Sequence, residues 1–205
     1  MRLLRRTSGA DVVEDRHVVV GLGNPGERYA QTRHNAGVLA IDVLLERTGG
    51  RLKSHKSGCL VAEGSLRGER VVLARTTSYM NESGRPVRQL LQWYKQPVEN
   101  LVVVHDEIDI PFGDVRVKAG GGTAGHNGLG SIVNHLGTKD FARVRVGVGR
   151  PPGGRGAVGH VLAGFSSTER KELPFLLVTA ADAVEAIVAD GVERAMNEFN
   201  TRAKP

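Results

Sequence analysis

The sequence predicts a single α/β domain, a twisted mixed β-sheet flanked by helices. Short apolar runs of strand length alternate with segments whose apolar residues recur at helical spacing. Two of the runs are close enough to form a hairpin, which adds an antiparallel pair to an otherwise parallel sheet. No internal repeat or linker divides the 205 residues, a length that suits one domain.

His17–Val20 reads as a short buried strand ending at Gly21. A helix is expected from Ala36 to Arg47, with Val38, Ile41 and Leu45 on one face and Gly49-Gly50 as its stop. Leu60–Glu63 and Val71–Ala74 are strands joined by a turn at Arg67-Gly68. Val87, Leu90, Leu91 and Tyr94 fall at i, i+3, i+4 and i+7 of a second helix, which has Pro86 in its first turn and Pro97 beyond its end. Leu101–His105 is a continuous apolar run ending in acid, the pattern of a central strand opening into a site. Val115–Lys118 and Arg143–Val148 alternate, with Val144, Val146 and Val148 inward and Arg143 and Arg145 outward. A short helix is expected from near Ser131. A long one should begin near Ser166, where Glu169 completes a capping box, and run toward Asp190-Gly191 with Val184, Ile187 and Val188 as its stripe. Pro151–Gly159 is rich in Gly and Pro and reads as an irregular, mobile surface loop. Residues 1–16 read as a frayed extension, leaving 17–205 as the domain.

Composition removes several classes. Hydrophobic content of 40% is ordinary for a soluble globular protein, and no apolar run approaches the roughly 18–20 residues that span a bilayer. The basic start, Met1–Arg6, is followed by no signal-peptide core, and Asp11, Glu14 and Asp15 do not suit a transit peptide. A lone cysteine, Cys59, forbids an intrachain disulfide and thiolate metal clusters; it suits a cytoplasmic location, and its apolar neighbours place it in the core. The net charge of +6 is concentrated. Between Gly113 and Gly156, seven bases (Arg116, Lys118, Lys139, Arg143, Arg145, Arg150, Arg155) face two acids (Asp114, Asp140), leaving +5 and suggesting a polyanion-binding face.

Gly21-Leu22-Gly23-Asn24-Pro25-Gly26 matches the dinucleotide fingerprint. The residues after it are polar and carry no helical stripe, and Pro25 removes an N–H that a phosphate would need, so a nucleotide-dependent oxidoreductase is disfavoured. The loop instead supplies Asn24, Tyr29, His34 and Asn35. Three further polar clusters are Tyr79-Met80-Asn81, His105-Asp106-Glu107 and Gly120-Gly121-Gly122-Thr123-Ala124-Gly125-His126-Asn127-Gly128. If strand ends gather on one side of the sheet, all four clusters can converge there.

The ingredients are those of a general-base site. An Asp accepting from one imidazole nitrogen fixes the tautomer and leaves the other nitrogen to take a proton from water. Asparagine amides can donate to an oxyanion without competing as bases. The absence of G-x-S-x-G disfavours a serine esterase. A metal site from His105, Asp106, Glu107 and Asp109 is disfavoured too, because adjacent strand residues point to opposite faces. Taken singly, each residue has a plainer reading. His34 is a surface histidine, His126 a lock on the glycine-rich loop, and the asparagines are turn formers. Met80 is packing, and Lys118, Arg143 and Arg145 are a solvated strand face.

In order and spacing, four blocks resemble the bacterial-type peptidyl-tRNA hydrolases. They are Gly21-Leu22-Gly23-Asn24-Pro25-Gly26 through Tyr29 and Thr32-Arg33-His34-Asn35-Ala36-Gly37; Tyr79-Met80-Asn81-Glu82-Ser83-Gly84; His105-Asp106-Glu107-Ile108-Asp109; and the glycine-rich run ending His126-Asn127-Gly128. The resemblance spans Val18 to Asn200. It implies cleavage of the ester between a peptide's C-terminus and the 3′-terminal ribose of tRNA, recycling tRNA from prematurely released peptidyl-tRNA. It also implies that His34 activates water and Asp106 orients it. Asn81 and Asn127 would hold the peptide backbone, the water or the oxyanion, and Asn24 the terminal nucleotide or peptide end. Tyr29 and Met80 would line the site, while Lys118 and Arg145 would grip tRNA phosphate. No metal or cofactor is implied. The expected partner is peptidyl-tRNA, through its acceptor stem, 3′ end and nascent peptide. No membrane is expected, and nothing demands more than a monomer. Thr123 departs from the histidine, glycine or serine of many relatives. The alternative is a non-catalytic RNA-binding or RNA-processing relative of the same fold, which the basic stretch would also fit.

Overall fold

The computed structural model describes residues 14–151 and 156–201. Its seven strands are β1 (His17–Gly21), β2 (Lys53–His55), β3 (Cys59–Leu66), β4 (Glu69–Thr76), β5 (Leu101–Glu107), β6 (Val115–Ala119) and β7 (Ala142–Gly147). They form one sheet in the order β2-β3-β4-β1-β5-β7-β6. β1 runs parallel to β4 and β5, and β5 to β7, whereas β2–β3, β3–β4 and β6–β7 are antiparallel. The sheet is therefore mixed, as expected.

Six helices cover it: α1 (Ala36–Thr48), α2 (Gly84–Trp93), α3 (Asn127–Leu136), α4 (Ala157–Leu162), α5 (Ser167–Asp190) and α6 (Val192–Asn200). Val18, Val19 and Val20 of β1 are fully buried because helices lie on both faces. Val19, Leu73, Val102, Val104, Val144 and Val146 pack with α1, α5 and α6 on one side. Val18, Val20, Val72 and Val103 pack with α2 and α3 on the other. Cys59 is buried in this second cluster.

The departures from expectation have physical causes. On α1 the buried residues are Ala36, Gly37, Ala40, Ile41 and Leu44, while Val38 and Leu45 are half-buried. The small residues let the helix approach so closely that a methyl on Gly37 would collide with the Val104 carbonyl and the Leu22 backbone. Helix α3 begins at Asn127 rather than near Ser131, because His126 caps it by accepting from Gly128 N and Leu129 N. The polar edge strand β2 and helix α6 were not anticipated. α6 is short, separated from α5 by Gly191, and buries only Ala195 and Phe199.

The expected loop at Pro151–Gly159 is corrected in part. Residues 152–155 lie outside the described residues, but Ala157–Gly159 belong to α4. Val158, Val161 and Leu162 fall at i, i+3 and i+4, enough to outweigh one glycine. Of the expected extension, residues 1–13 lie outside the described residues; Arg16 donates to Glu63 and its backbone N to Gln96. Arg143 is also corrected. It leaves the sheet on the α2–α3 side but is 1% exposed, because the glycine-rich loop folds over it. Its guanidinium donates to the carbonyls of Gly122 and Gly121 at 2.6 and 2.7 Å, groups that no regular structure satisfies.

Candidate active site

The C-terminal ends of β1, β4 and β5 lie side by side, and the loops leaving them build the site. Beyond Gly21 the pairing continues through Leu22 N, which donates to the Val104 carbonyl at 2.9 Å. The next turn is closed by Asn35, whose Oδ1 accepts from Asn24 N at 2.8 Å and whose Nδ2 donates to Asn24 O at 3.0 Å. Asn24 in turn accepts from Met80 N through Oδ1 at 2.9 Å. That bond fixes the amide orientation and leaves its Nδ2 donor to serve a ligand.

His34 lies in a 3-10 turn, Arg33–Asn35, leading into α1. Its Nδ1 is 2.9 Å from Asp106 Oδ1. The same oxygen is 3.0 Å from His126 Nε2. Because His126 Nδ1 accepts from the α3 N-terminus, its proton sits on Nε2 and is donated to Asp106. A carboxylate only accepts, so His34 likewise presents Nδ1–H to Asp106, which puts the lone pair of the neutral ring on Nε2. Asp106 is 2% exposed. Burial pushes its carboxyl up, but hydrogen bonds from His126 and His34 outweigh that and hold it well below the usual carboxylate range. His34, Asp106 and His126 bring three donor atoms within 4.8 Å of one another, close enough for a cation. Both nitrogens facing Asp106 carry protons in this arrangement, so the set is satisfied as a hydrogen-bonded triad rather than as a ligand set.

The triad opens into a cavity of about 540 Å³, within the range of small-ligand sites. One wall is polar: Asn24, Asn81, His126 and Asn127. The other is apolar: Met80, Ile108, Val158, Val161 and Leu162. Arg33 attaches the α4 part of this wall to the His34 turn. Its Nε and Nη2 donate to the two carboxylate oxygens of Glu169 at 3.1 and 2.6 Å. Its Nη1 donates to the carbonyls of His160, Ala163 and Gly164, at and just beyond the end of α4. Glu169 also completes the expected capping box with Ser166.

Of the residues singled out by sequence, Asn24, Tyr29, His34, Met80, Asn81, Asp106 and Asn127 all line this cavity. Lys118 and Arg145 do not; they sit on β6 and β7, on the α2–α3 side of the sheet. Arg145 is ion-paired with Glu107 at 3.1 Å. Sequence reasoning missed the Asp106–His126 bond, although the Gly-His-Asn-Gly block had marked His126. It also missed the Arg33 clasp, whose partner lies 136 residues away, and the α4 wall.

The family model for "Peptidyl-tRNA hydrolase" matches residues 18–205. A peptidyl-tRNA hydrolase of Frankia casuarinae is 58% identical over 183 residues, covering 89% of this chain and 93% of its own. That of Kineococcus radiotolerans is 54% identical over 198 residues, covering 93% of this chain and 100% of its own. The crystal structure of peptidyl-tRNA hydrolase from Acinetobacter baumannii superposes with a TM-score of 0.84 at 38% identity, covering 92% of this chain and 96% of that one. With 58% identity over most of its length and residues 18–205 within the family model, this chain belongs to the peptidyl-tRNA hydrolase family.

Proposed function

We propose that this protein hydrolyses the ester between a peptide's C-terminal carboxyl and the 3′-terminal ribose of tRNA. The observation that carries the reading is the His34–Asp106 pair, which leaves His34 Nε2 as a free base at the mouth of a cavity lined by amides. His34 Nε2 takes a proton from water as the water oxygen bonds to the ester carbon. The carbonyl oxygen becomes an oxyanion, for which the Nδ2 donors of Asn24, Asn81 and Asn127 are available. Collapse breaks the bond to the ribose oxygen, which receives the proton held by the imidazole. General-base help is worth roughly 10²–10⁴ and each oxyanion donor roughly 10²–10³ in rate.

Tyr29 and Met80 shape the cavity, and the apolar α4 wall suits peptide side chains. Lys118 and Arg145 serve tRNA phosphates, so binding should weaken with salt. Residues 17–205 act as the catalytic domain, working as a monomer in the cytoplasm, with 1–16 as an extension. No helix among the described residues is long and apolar enough to cross a membrane. The test is release of N-acetyl amino acid from N-acetyl-aminoacyl-tRNA by wild type and by His34→Ala. Equal turnover by the two would refute the mechanism, and tRNA binding without hydrolysis would favour an RNA-binding role instead.

A further inference from the structure

The two faces of the sheet carry opposite charge. The helices on one side, α1, α5 and α6, hold two, five and two carboxylates against one, two and one bases, a balance of −5. The helices on the other side, α2 and α3, hold no Asp or Glu at all. α2 presents Arg85 and Arg88 outward, and its neighbour β2 with the following turn adds Lys53 and Lys56, all exposed. None of these four has a carboxylate within ion-pair distance among the described residues; Glu82, at the entrance to α2, is the acid nearest the arginines in sequence, and Glu63 of β3, on the same side of the sheet, is engaged by Arg16 and Tyr94.

Trp93 ends this face. It is 51% exposed, and Lys56 Nζ lies 3.4 Å from its ring centroid. A half-open indole with an ammonium over its ring and no carboxylate to neutralise it suits a nucleobase and its phosphate together. The face begins at the cavity rim, because Asn81, which lines the cavity, is four residues before Arg85. Lys118 and Arg145 leave β6 and β7 on the same side of the sheet, toward its other edge. From β2 to β6 the seven-stranded sheet is six spacings wide, about 29 Å at roughly 4.8 Å each, the scale of a duplex arm rather than of a terminal nucleotide.

We propose that α2, with Arg85, Arg88 and the Lys56–Trp93 pair, is a second RNA-docking surface that takes the phosphate backbone of the tRNA body. Lys118 and Arg145 hold the substrate on the far side of the cavity. The acidic α1–α5–α6 layer turns that side of the molecule away from RNA and orients the encounter. The identity of the RNA rests on the hydrolase reading; the existence of the surface does not.

The probe is deacylated tRNA, titrated into the full-length protein at several salt concentrations. Trp93 is the single tryptophan of the chain, so its fluorescence reports the surface directly. Quenching on tRNA addition is expected. In Arg85→Glu/Arg88→Glu the Kd should rise at least about tenfold, and the slope of log K against log salt should become shallower by about 1.5, the loss of two phosphate contacts. KM for N-acetyl-aminoacyl-tRNA should rise in parallel. Arg85→Gln/Arg88→Gln, a milder pair, should move both quantities the same way by less and guards against misfolding of the first. Glu172→Lys, on the acidic face, should not weaken binding. Unchanged affinity and salt slope in both arginine variants would overturn the proposal and leave the face to an acidic protein partner or to solvent. If wild type binds tRNA through Arg85 and Arg88 without cleaving its ester, the surface stands and the hydrolase reading falls. Normal cleavage with indifferent binding gives the reverse.

Discussion

Asp106→Asn removes a charge while keeping shape, and its effect can be sized from the triad. The carboxylate accepts from His34 at 2.9 Å and from His126 at 3.0 Å through one oxygen. When His34 takes a proton from water, the new imidazolium charge lies about 4 Å from the carboxylate charge, an attraction of about 4 kcal/mol at an effective dielectric near 20. An amide supplies none of it. At about 1.4 kcal/mol per decade, kcat should fall roughly a thousandfold. The amide can also turn its NH₂ toward His34 Nδ1, which moves the ring proton to Nε2 and removes the base, so the loss should not be smaller. Buried at 2% exposure, Asp106 does not contact substrate broadly, and KM should stay within a few-fold. The assay is single-turnover release of labelled N-acetyl amino acid from tRNA under enzyme excess. A fall of less than tenfold in a folded variant would refute the assignment of Asp106 as the partner that stabilises charged His34. Stability offers a second reading. The wild-type carboxyl is held below its unfolded value near 4, so its contribution is present above that value and is lost as the pH falls below it toward the folded value. The variant should show a flatter acid limb.

Three further outcomes are expected. Glu107→Gln frees Arg145 from its partly exposed ion pair; at about 0.5–1 kcal/mol the tRNA Kd should tighten about two- to fivefold, and weaker binding would contradict the phosphate role of Arg145. Burial first, and then the neighbouring His126 imidazole, beside which a second positive charge is disfavoured, pushes His105 down to about 3. The unfolded chain therefore binds a proton that the fold refuses, and urea unfolding at pH 5 should show about 2 kcal/mol less stability than at pH 7, a difference that His105→Phe should reduce. Gly37→Ala places a methyl against the Val104 carbonyl and the Leu22 backbone; a loss of about 1–3 kcal/mol is expected, with reduced turnover because His34 is three residues away, and an unchanged melting midpoint would argue against so close an approach.

The parts of the fold that could be read from sequence are those where pattern and burial coincide. β1 and β5 are β-branched runs buried on both faces, α2 repeats its apolar residues at helical spacing between two prolines, and Ser166 with Glu169 announces α5. The meeting of three of the four polar clusters could be read for a topological reason, because the parallel strands β1, β4 and β5 end on one side; the fourth follows β6, which runs antiparallel to β7, and reaches the site only because its glycine-rich loop folds back over Arg143 to Asp106. Other features depend on tertiary partners that local pattern does not carry. Arg143 alternates like an outward residue, and only the loop folded over it makes it internal. α1 turns Ala36, Gly37 and Ala40 to the sheet beside Ile41 and Leu44, and leaves Val38 and Leu45 half-buried. Arg33 sits in a block marked for chemistry, yet its bonds tie together the ends of α4 and α5.

The Arg33–Glu169 clasp also has a meaning in the order of synthesis. The triad's side chains are all in place in the chain by His126, but the carboxylate that secures the His34 turn arrives only at Glu169, with the helix whose Leu173, Leu176 and Ala180 cover the same core cluster as α1. Because Glu169 lies 136 residues after Arg33, the clasp forms only once α4 and the start of α5 are in position, so the His34 turn is secured by the assembled domain rather than by its own block of sequence.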